Sequence, residues 1–289
     1  MSAIDIVIRG RQRDLVEGFT VRRTLPAMQR RHVGPFVFLD QMGPVELPPG
    51  RGMDVRPHPH IALATLTYLF EGAVLHRDSV GSEQLVVPGD VNWMIAGKGI
   101  AHSERTPPDE RARVHRLHGI QAWVGLHTSE EELPPRFVHH PASALPVVEQ
   151  DGATIRLITG TAFGATAPSE TRTSTVYADA TLRGSLALPT EPDELAFYVV
   201  SGSVTLEDQT FEEGALVILV PHAEATVSGD ARIMILGGAP LDGPRHMWWN
   251  FVSSSKERIE QAKEDWKAQR FARVVGDDDE VIPLPEGRG

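Results

Sequence analysis

Two stretches of the sequence decide how the chain folds: RPHPHIALATLTYLFEG at residues 56–72 and PGDVNWMIAGKGIAHSE at residues 88–104. Both are rich in β-branched and aromatic residues, and prolines or glycines bound their apolar runs. This pattern is typical of short β-strands separated by tight turns. It favours an antiparallel barrel or sandwich over a parallel α/β sheet.

The same two stretches contain a candidate metal site. Side chains two residues apart on a strand point to one face, so His58 and His60 are predicted to converge. His102 and Glu104 have the same spacing on a later strand. Three imidazoles and one carboxylate suit iron, manganese, cobalt, nickel, copper or zinc better than magnesium or calcium. Four protein ligands leave an octahedral ion two open positions, which would permit catalysis.

A purely structural interpretation of these histidines stays open at this point, because surface His-x-His pairs are common in a chain with twelve histidines. The second motif, His102-Ser103-Glu104, favours the metal. The strand also has to tolerate Pro59, which cannot donate to a β-ladder and therefore predicts an edge or strand-start position. Seven of the nine remaining histidines are interpreted as solvated or hydrogen-bonded side chains: His76, His115, His118, His139, His140, His222 and His246.

Strand patterns continue through both halves of the chain. The predicted strands of the first half lie at 3–8, 19–25, 36–39, 60–70, 74–78, 84–87, 91–95, 100–105 and 114–126. A second block runs from 154 to about 236, and its Tyr198-x-x-x-Gly202 repeats Tyr68-x-x-x-Gly72. A duplicated β-barrel is therefore predicted.

The predicted boundary between the two domains lies at 135/136. Residues 1–135 form the first domain, and residues 136–289 form the second, with 127–150 as a proline-rich linker region. One amphipathic helix is predicted at about 255–270, with Ser254-x-x-Glu257 as its capping box. Ile259, Ala262 and Trp266 recur at helical spacing and predict its packed face.

Composition excludes several classes of protein. The 289 residues include no cysteine, so a disulfide framework, a thiolate metal site and a thiol nucleophile are excluded. The net charge of −11 opposes binding to nucleic acids or anionic membranes, and its acidic excess lies after residue 60. Residues 1–10 do not resemble a secretory signal, and no apolar run approaches the ~18 residues of a membrane helix. We expect a cytoplasmic protein.

The motifs resemble those of the pirin family of bicupins. The resemblance is carried by residues 56–72, by residues 88–104, by FVFLDQMG at 36–43 and by GIQAWV at 119–124. It implies an all-β chain of two cupin domains, each a double-stranded β-helix or jelly roll, packed together. It also implies one divalent metal, with iron(II) as the first choice, held in the N-terminal domain by His58, His60, His102 and Glu104.

The chain departs from the family pattern near the first motif. Ile61-Ala62 replaces a common Arg-Gly, and Ala64 stands where many members have glutamate. These changes should leave the ligands intact and make the pocket less acidic. In the second repeat, the positions equivalent to His58 and His60 are Leu188 and Thr190. The C-terminal domain is therefore predicted to hold no metal.

The resemblance implies three candidate functions. The first is quercetin 2,3-dioxygenase activity on a flavonol and dioxygen, with Glu104 as both ligand and general base. Its apolar pocket is expected to include Phe36, Phe38, Trp93, Met94 and Trp123. The second is an iron-dependent, redox-sensing regulator that binds a protein partner. The third is a metallo-bicupin acting on another small enol or aromatic compound.

Overall fold

The computed structural model describes residues 2–16, 19–169, 171 and 173–286. Strands dominate this part of the chain, and the longest helix lies near its C-terminal end. The predicted all-β architecture with one C-terminal amphipathic helix is therefore confirmed. Among the described residues, no helix combines the length and apolarity that crossing a membrane requires.

The strands up to residue 125 are β1 (Ile4–Arg9), β2 (Arg11–Val16), β3 (Phe19–Leu25), β4 (Phe36–Leu47), β5 (Asp54–His60), β6 (Leu63–Glu71), β7 (Val74–Asp78), β8 (Glu83–Val86), β9 (Val91–Ile95), β10 (Ile100–Arg105) and β11 (His115–Gly125). The later strands are β12 (Arg136–His140), β13 (Val147–Gln150), β14 (Ala153–Thr159), β15 (Thr161–Ala162), β16 (Ala165–Thr166), β17 (Thr175–Ala187), β18 (Glu194–Leu206), β19 (Gln209–Glu212), β20 (Ala215–Leu219), β21 (Thr226–Gly238), β22 (His246–Trp248) and β23 (Phe251–Ser253). The α-helices are α1 (Pro108–Arg111) and α2 (Lys256–Lys267), and single 3-10 turns cover Thr128–Glu130 and Ala142–Ala144.

The chain divides into two compact units that interleave along the sequence. The C-barrel unit comprises the described residues of Met1–Gln12, Arg22–Asp40 and His140–Leu241. The N-barrel unit comprises those of Arg13–Val21, Gln41–His139 and Asp242–Gly289.

This division differs from the predicted boundary at 135/136 at both ends of the chain, because residues at each end pair with distant strands or loops. The first strand, β1, pairs antiparallel with β20, so the start of the chain belongs to the C-barrel unit. At the other end, Phe251 of β23 forms a parallel bridge with Ile61, which follows β5 directly. The residues after 241, with α2, therefore complete the N-barrel unit.

The C-barrel unit is built on an eight-stranded sheet. Its strand order is β1-β20-β18-β21-β17-β14-β13, with β19 paired to β18. Apolar side chains fill its interior, among them Leu157, Leu186, Phe197, Val199 and Ile233, each fully buried. Leu188, which stands where the first repeat has a histidine, belongs to this apolar core.

The N-barrel unit contains the β5-β10-β7-β8 sheet and most of the sheet ordered β12-β9-β6-β11-β4-β3-β2. Pro59 cannot donate to a β-ladder, so the sequence predicted an edge or strand-start position for it. In the structure, β5 is an edge strand of its sheet. The predicted strand over 60–70 is interrupted, however. Ala62 has a φ of 54° and separates β5 from β6. The region 127–150 also differs from a plain linker, because β12 and β13 each join a sheet.

The two repeated glycines share a backbone conformation, although Gly72 follows the end of β6 and Gly202 lies within β18. Gly72 has a φ of 84° and Gly202 a φ of 74°, both in the left-handed region that favours glycine. A Cβ on Gly72 would lie 2.2 Å from the carbonyl oxygen of Arg116, and one on Gly202 would lie 2.2 Å from that of Asp230. The repeated glycine thus allows one strand to approach its neighbour closely.

Helix α2 lies close to its predicted position. Its N-cap is Ser255, whose hydroxyl accepts a hydrogen bond from the Arg258 N–H, so the cap is one residue later than the predicted Ser254. Ile259 and Ala262 are buried, and together with the half-buried Trp266 they pack against Ile61 and Phe251. The helix therefore anchors the C-terminal residues to the loop that follows β5.

Candidate metal centre

The pairing of β5 with β10 brings the two sequence motifs together. The strands are antiparallel, and His102 lies directly opposite His58. A register shift between His102 and Glu104 places Glu104 opposite Val55. All four predicted ligand side chains are buried, with exposures between 1% and 6%. The H-x-H motif and the H-x-E motif therefore both face the interior of the N-barrel unit.

The three histidines form one cluster. The ring centroids of His58 and His102 are 4.3 Å apart, and His60 lies 5.0 Å from each. The Nδ1 atom of His58 lies 2.9 Å from the carbonyl oxygen of Arg56, and that of His60 lies 3.0 Å from the carbonyl oxygen of Asn250. A carbonyl oxygen only accepts, so each Nδ1 carries the proton. The Nε2 lone pairs of His58 and His60 are therefore available to a metal.

The contact between His60 and His102 shows that the cluster fits a cation. Their Nε2 atoms are 3.1 Å apart. Burial lowers the pKa of both rings well below its usual value. The neighbouring His58 lowers the pKa of both rings further, and His60 and His76 also lower that of His102. Two neutral nitrogens that face each other repel unless a proton or a metal ion lies between them. The donor set therefore suits a divalent metal.

Glu104 is held from the opposite sheet. Its Oε1 accepts a hydrogen bond from the Thr67 hydroxyl, and its Oε2 accepts one from the Gln121 amide, both at 2.7 Å. A carboxylate oxygen of Glu104 groups within 4.8 Å with ligand atoms of His76 and His102, whereas His58, His60 and His102 form their own group. The predicted set of four thus consists of two overlapping groups that share His102. The register shift before Glu104 accounts for this offset.

His76 and Asp78 belong to the site although the sequence interpretation set His76 aside. His76 is hydrogen-bonded, as one reading of the sequence allowed, but it is buried and its Nδ1 lies 3.4 Å from His102 Nδ1. Its Nε2 lies 3.0 Å from Asp78 Oδ2. The available signal was the spacing itself, because His76-x-Asp78 places both side chains on one face just as His58-x-His60 does. Thr67, Gln121 and Asn250 had no such signal.

The five predicted pocket residues are dispersed. Trp123 packs edge-on against His60 with ring centroids 5.0 Å apart. Met94 belongs to a small apolar cluster against which Phe137 packs, and the Phe137 ring stacks on His76 at 4.5 Å. Trp93 is buried on β9.

Phe36 and Phe38 lie in the C-barrel unit. There, Phe36 packs 5.2 Å from Tyr177, and the Arg23 guanidinium lies 4.4 Å from the Phe38 ring centroid. The contacts in the structure therefore connect Trp123 to the histidine cluster directly and Met94 through Phe137. A pocket role for the other three residues stays a prediction.

Four other histidines have structural hydrogen bonds, as the sequence predicted. His118 Nε2 contacts Gln41, His139 Nδ1 contacts Asn92, and the Nδ1 atoms of His115 and His222 contact backbone carbonyl oxygens. Among the described residues, every group of three or more closely spaced ligand side chains lies in the N-barrel unit.

Comparison with known proteins places the whole chain in one family. The pirin sequence profile matches residues 18–124, and the pirin C-terminal cupin domain matches residues 177–272. A pirin-like protein of Caulobacter vibrioides is 48% identical over 98% of this chain and 100% of its own length. Human pirin is 29% identical, with 91% of this chain and 92% of its own covered.

A solved structure extends the agreement to the fold. The crystal structure of quercetin 2,3-dioxygenase from Acinetobacter baumannii superposes with a TM-score of 0.90 and 32% identity, covering 98% of this chain and 97% of that one. The prediction of two cupin domains is thereby confirmed. Because both domains match in their expected order and the similarity spans nearly every residue, this chain belongs to the pirin family.

Proposed function

We propose that the N-barrel unit binds one divalent first-row metal, iron(II) first among them, and uses it to cleave flavonols with dioxygen. Manganese, cobalt, nickel, copper and zinc are the alternative ions. The observation that carries the metal is the convergence of Nε2 atoms from buried, neutral imidazoles, with Nδ1 of both His58 and His60 already bonded. Neutral imidazole is the form that coordinates metals.

The ligands in this proposal are Nε2 of His58, His60 and His102 and a carboxylate oxygen of Glu104. A bound metal would supply a Lewis acid that stabilises the deprotonated substrate oxygen and a redox partner for dioxygen. The chain would supply the base: Glu104 accepts the proton of the flavonol 3-hydroxyl. Thr67 and Gln121 donate to Glu104 and hold the carboxylate in place.

The substrate class is supported by similarity and by the walls of the site. The Acinetobacter baumannii protein, whose structure is shared over nearly the whole chain, is described as a quercetin 2,3-dioxygenase. In this chain the indole of Trp123 lies beside His60 and offers an apolar surface to a flat aromatic ring. A flavonol would place its 3-hydroxyl towards Glu104 and its rings along this wall.

The test uses the full chain stripped of metal and reloaded with each candidate ion under anaerobic conditions. Quercetin is then added with dioxygen, and oxygen uptake and carbon monoxide release are measured together. We expect stoichiometric carbon monoxide from the iron-loaded protein, loss of activity in His60→Asn and a strong decrease in Glu104→Gln. His118→Asn is the matched control, because this histidine is also buried but contacts Gln41 instead of the cluster.

The result also separates the dioxygenase from the regulatory alternative. Tight metal binding without carbon monoxide release from any flavonol would refute the dioxygenase and leave the metal centre standing. A regulator would instead have to bind its protein partner with different affinities in the Fe(II) and Fe(III) states. Failure of the wild-type protein to bind any of the six ions would refute the metal centre itself.

A further inference from the structure

The carboxylate of Asp78 is fixed by its own turn. Its Oδ1 accepts hydrogen bonds from the backbone N–H groups of Val80 and Ser82, at 3.0 and 2.9 Å. Its Oδ2 is therefore directed to His76 Nε2, 3.0 Å away. Asp78 has 0% exposure and His76 has 2%, so water does not compete for these bonds. The two oxygens of Asp78 thus have different, defined partners.

These contacts determine where the ring protons lie. A carboxylate accepts, so His76 carries its proton on Nε2, and the Nδ1 of the neutral ring is an acceptor. That Nδ1 faces His102 Nδ1 at 3.4 Å, the long end of the hydrogen-bond range. His102 must then donate from Nδ1, which leaves its Nε2 without a proton. This Nε2 is the atom that faces His60.

We propose that Asp78 and His76 are positioning residues that keep the proton of His102 on Nδ1 and so hold its Nε2 ready to bind the metal. The inference rests on the metal centre proposed above and assigns it a buried carboxylate–imidazole–imidazole chain. Phe137, stacked on His76 with the rings 18° from parallel, keeps the His76 ring in the plane that the chain needs. Carboxylates that orient a metal-binding histidine are a general feature of metal sites, and their loss typically weakens binding 10- to 100-fold.

The substitution Asp78→Asn makes this proposal falsifiable, because it replaces one carboxylate oxygen with an NH₂ group and reverses the direction of the hydrogen bonds in the chain. The backbone N–H groups of Val80 and Ser82 require an acceptor, so the amide oxygen takes the place of Oδ1 and the NH₂ group faces His76. The Nε2 of His76 would then have to accept, which moves its proton to Nδ1. His102 would accept on Nδ1 and carry its proton on Nε2, where it blocks the metal.

The experiment measures the dissociation constants of Ni(II) and Co(II) for the full-length, metal-free protein by competition with a coloured chelator. We expect Asp78→Asn to weaken both by about 10- to 100-fold. The matched control is Asp90→Asn, since Asp90 is also buried beside a histidine, His139, but that histidine contacts Asn92. This control should bind both ions as the wild type does. The d–d absorption of the Co(II)-loaded proteins reports separately on the number of nitrogen ligands and should change only in Asp78→Asn.

A second pair of variants tests whether His102 needs a hydrogen-bond acceptor at the position of His76 Nδ1. In His76→Asn, the amide oxygen can replace Nδ1 as the acceptor for His102, so most of the metal affinity should be retained. In His76→Leu no acceptor remains, and affinity should fall as in Asp78→Asn. If Asp78→Asn does not fold, as judged by circular dichroism, equal affinities in the two His76 variants would overturn the proposal.

The outcomes distinguish this inference from the proposed function. Unchanged affinity and unchanged Co(II) absorption in a folded Asp78→Asn protein would overturn the positioning role alone. Absence of Ni(II) and Co(II) binding in the wild type would overturn the metal centre and this inference with it.

Discussion

Thr67 and Gln121 lie directly opposite each other on β6 and β11, and each donates a hydrogen bond to a different oxygen of Glu104. A single cross-strand pair therefore fixes both oxygens of the carboxylate. Glu104 itself comes from the other sheet of the N-barrel unit. The candidate ligand is thus positioned by residues that have no place in the metal motifs.

Replacing Gln121 with leucine should weaken metal binding. The substitution leaves Oε2 of the buried Glu104 without its donor, so the carboxylate can rotate away from the histidines. Residues of this kind, which bond to a ligand, typically contribute 10- to 100-fold to metal affinity. The dissociation constant for Co(II) measures the effect. Gln261→Leu is the control, because Gln261 also donates to a carboxylate, that of Asp265, at an exposed position on α2. Equal affinity in both variants would contradict the prediction.

Replacing Glu131 with alanine should destabilise the fold and the metal site together. The buried Glu131 carboxylate lies 3.0 Å from Arg245 and accepts hydrogen bonds from Ser253 and Ser254, just beyond the turn that carries Asn250. The Asn250 carbonyl in turn accepts from His60. Breaking a buried ion pair costs about 3–5 kcal/mol, and the lower end is expected because Arg245 keeps its contact with Asp242.

Urea unfolding of the metal-free protein and the Co(II) dissociation constant measure the two effects of Glu131→Ala. The control is Glu132→Ala, which removes an exposed ion pair with Arg258 and should cost less than about 1 kcal/mol. If Glu131→Ala lost stability but bound Co(II) normally, the C-terminal residues would not help to orient His60.

Local patterns in the sequence predicted much of the site. The strands β7, β9 and β10 have the predicted bounds, because alternating residues between glycine or proline turns restrict where a short strand can begin and end. The same alternation predicted that His58 and His60 share one face of their strand and that His102 and Glu104 share one face of theirs. What escaped prediction depends on distant pairing: β1 joins β20, and Phe251 reaches Ile61 across 190 residues.

The hydrogen-bond partners of the histidines were harder to predict for a different reason. Asn250 acts through its backbone carbonyl, which every residue has, so its side chain gives no signal. Asp78 and His76 did have a signal in their spacing. The His76-x-Asp78 spacing alone does not assign these residues to the site, because only the strand order shows that β7 lies beside β10.

Alkaline pH should reduce the stability of the C-barrel unit through Tyr198. Burial raises the pKa of Tyr198 to about 12, although hydrogen bonding and charge from Arg22 act in the opposite direction. The unfolded chain loses the phenol proton near pH 10, whereas the folded chain keeps it until about pH 12. Between these values the unfolded state binds fewer protons, so stability falls as the pH rises.

The variant Tyr198→Phe isolates this effect. Phenylalanine has no proton to lose. The difference in the free energy of unfolding between the variant and the wild type should therefore shift in favour of the variant by about 1.4 kcal/mol per pH unit above pH 10. Urea titrations at pH 9 and pH 11 measure the difference. A constant offset between the two proteins over this range would show that Tyr198 ionises equally in the folded and unfolded chains.

Shortening Trp123 should change how the site handles its aromatic substrate more than how it binds metal. The indole packs edge-on against the His60 ring, with ring centroids 5.0 Å apart. In Trp123→Phe, loss of aromatic contact worth about 0.5–1.5 kcal/mol would lower kcat/KM for quercetin by roughly 2- to 10-fold. The Co(II) dissociation constant should stay close to that of the wild type. Phe197→Leu is the comparison, since Phe197 packs against Phe211 in the C-barrel unit and should lower stability while leaving kcat/KM unchanged. A Trp123→Phe protein with normal kcat/KM would remove Trp123 from the substrate pocket, and a loss of Co(II) binding would show instead that the indole holds His60 in place.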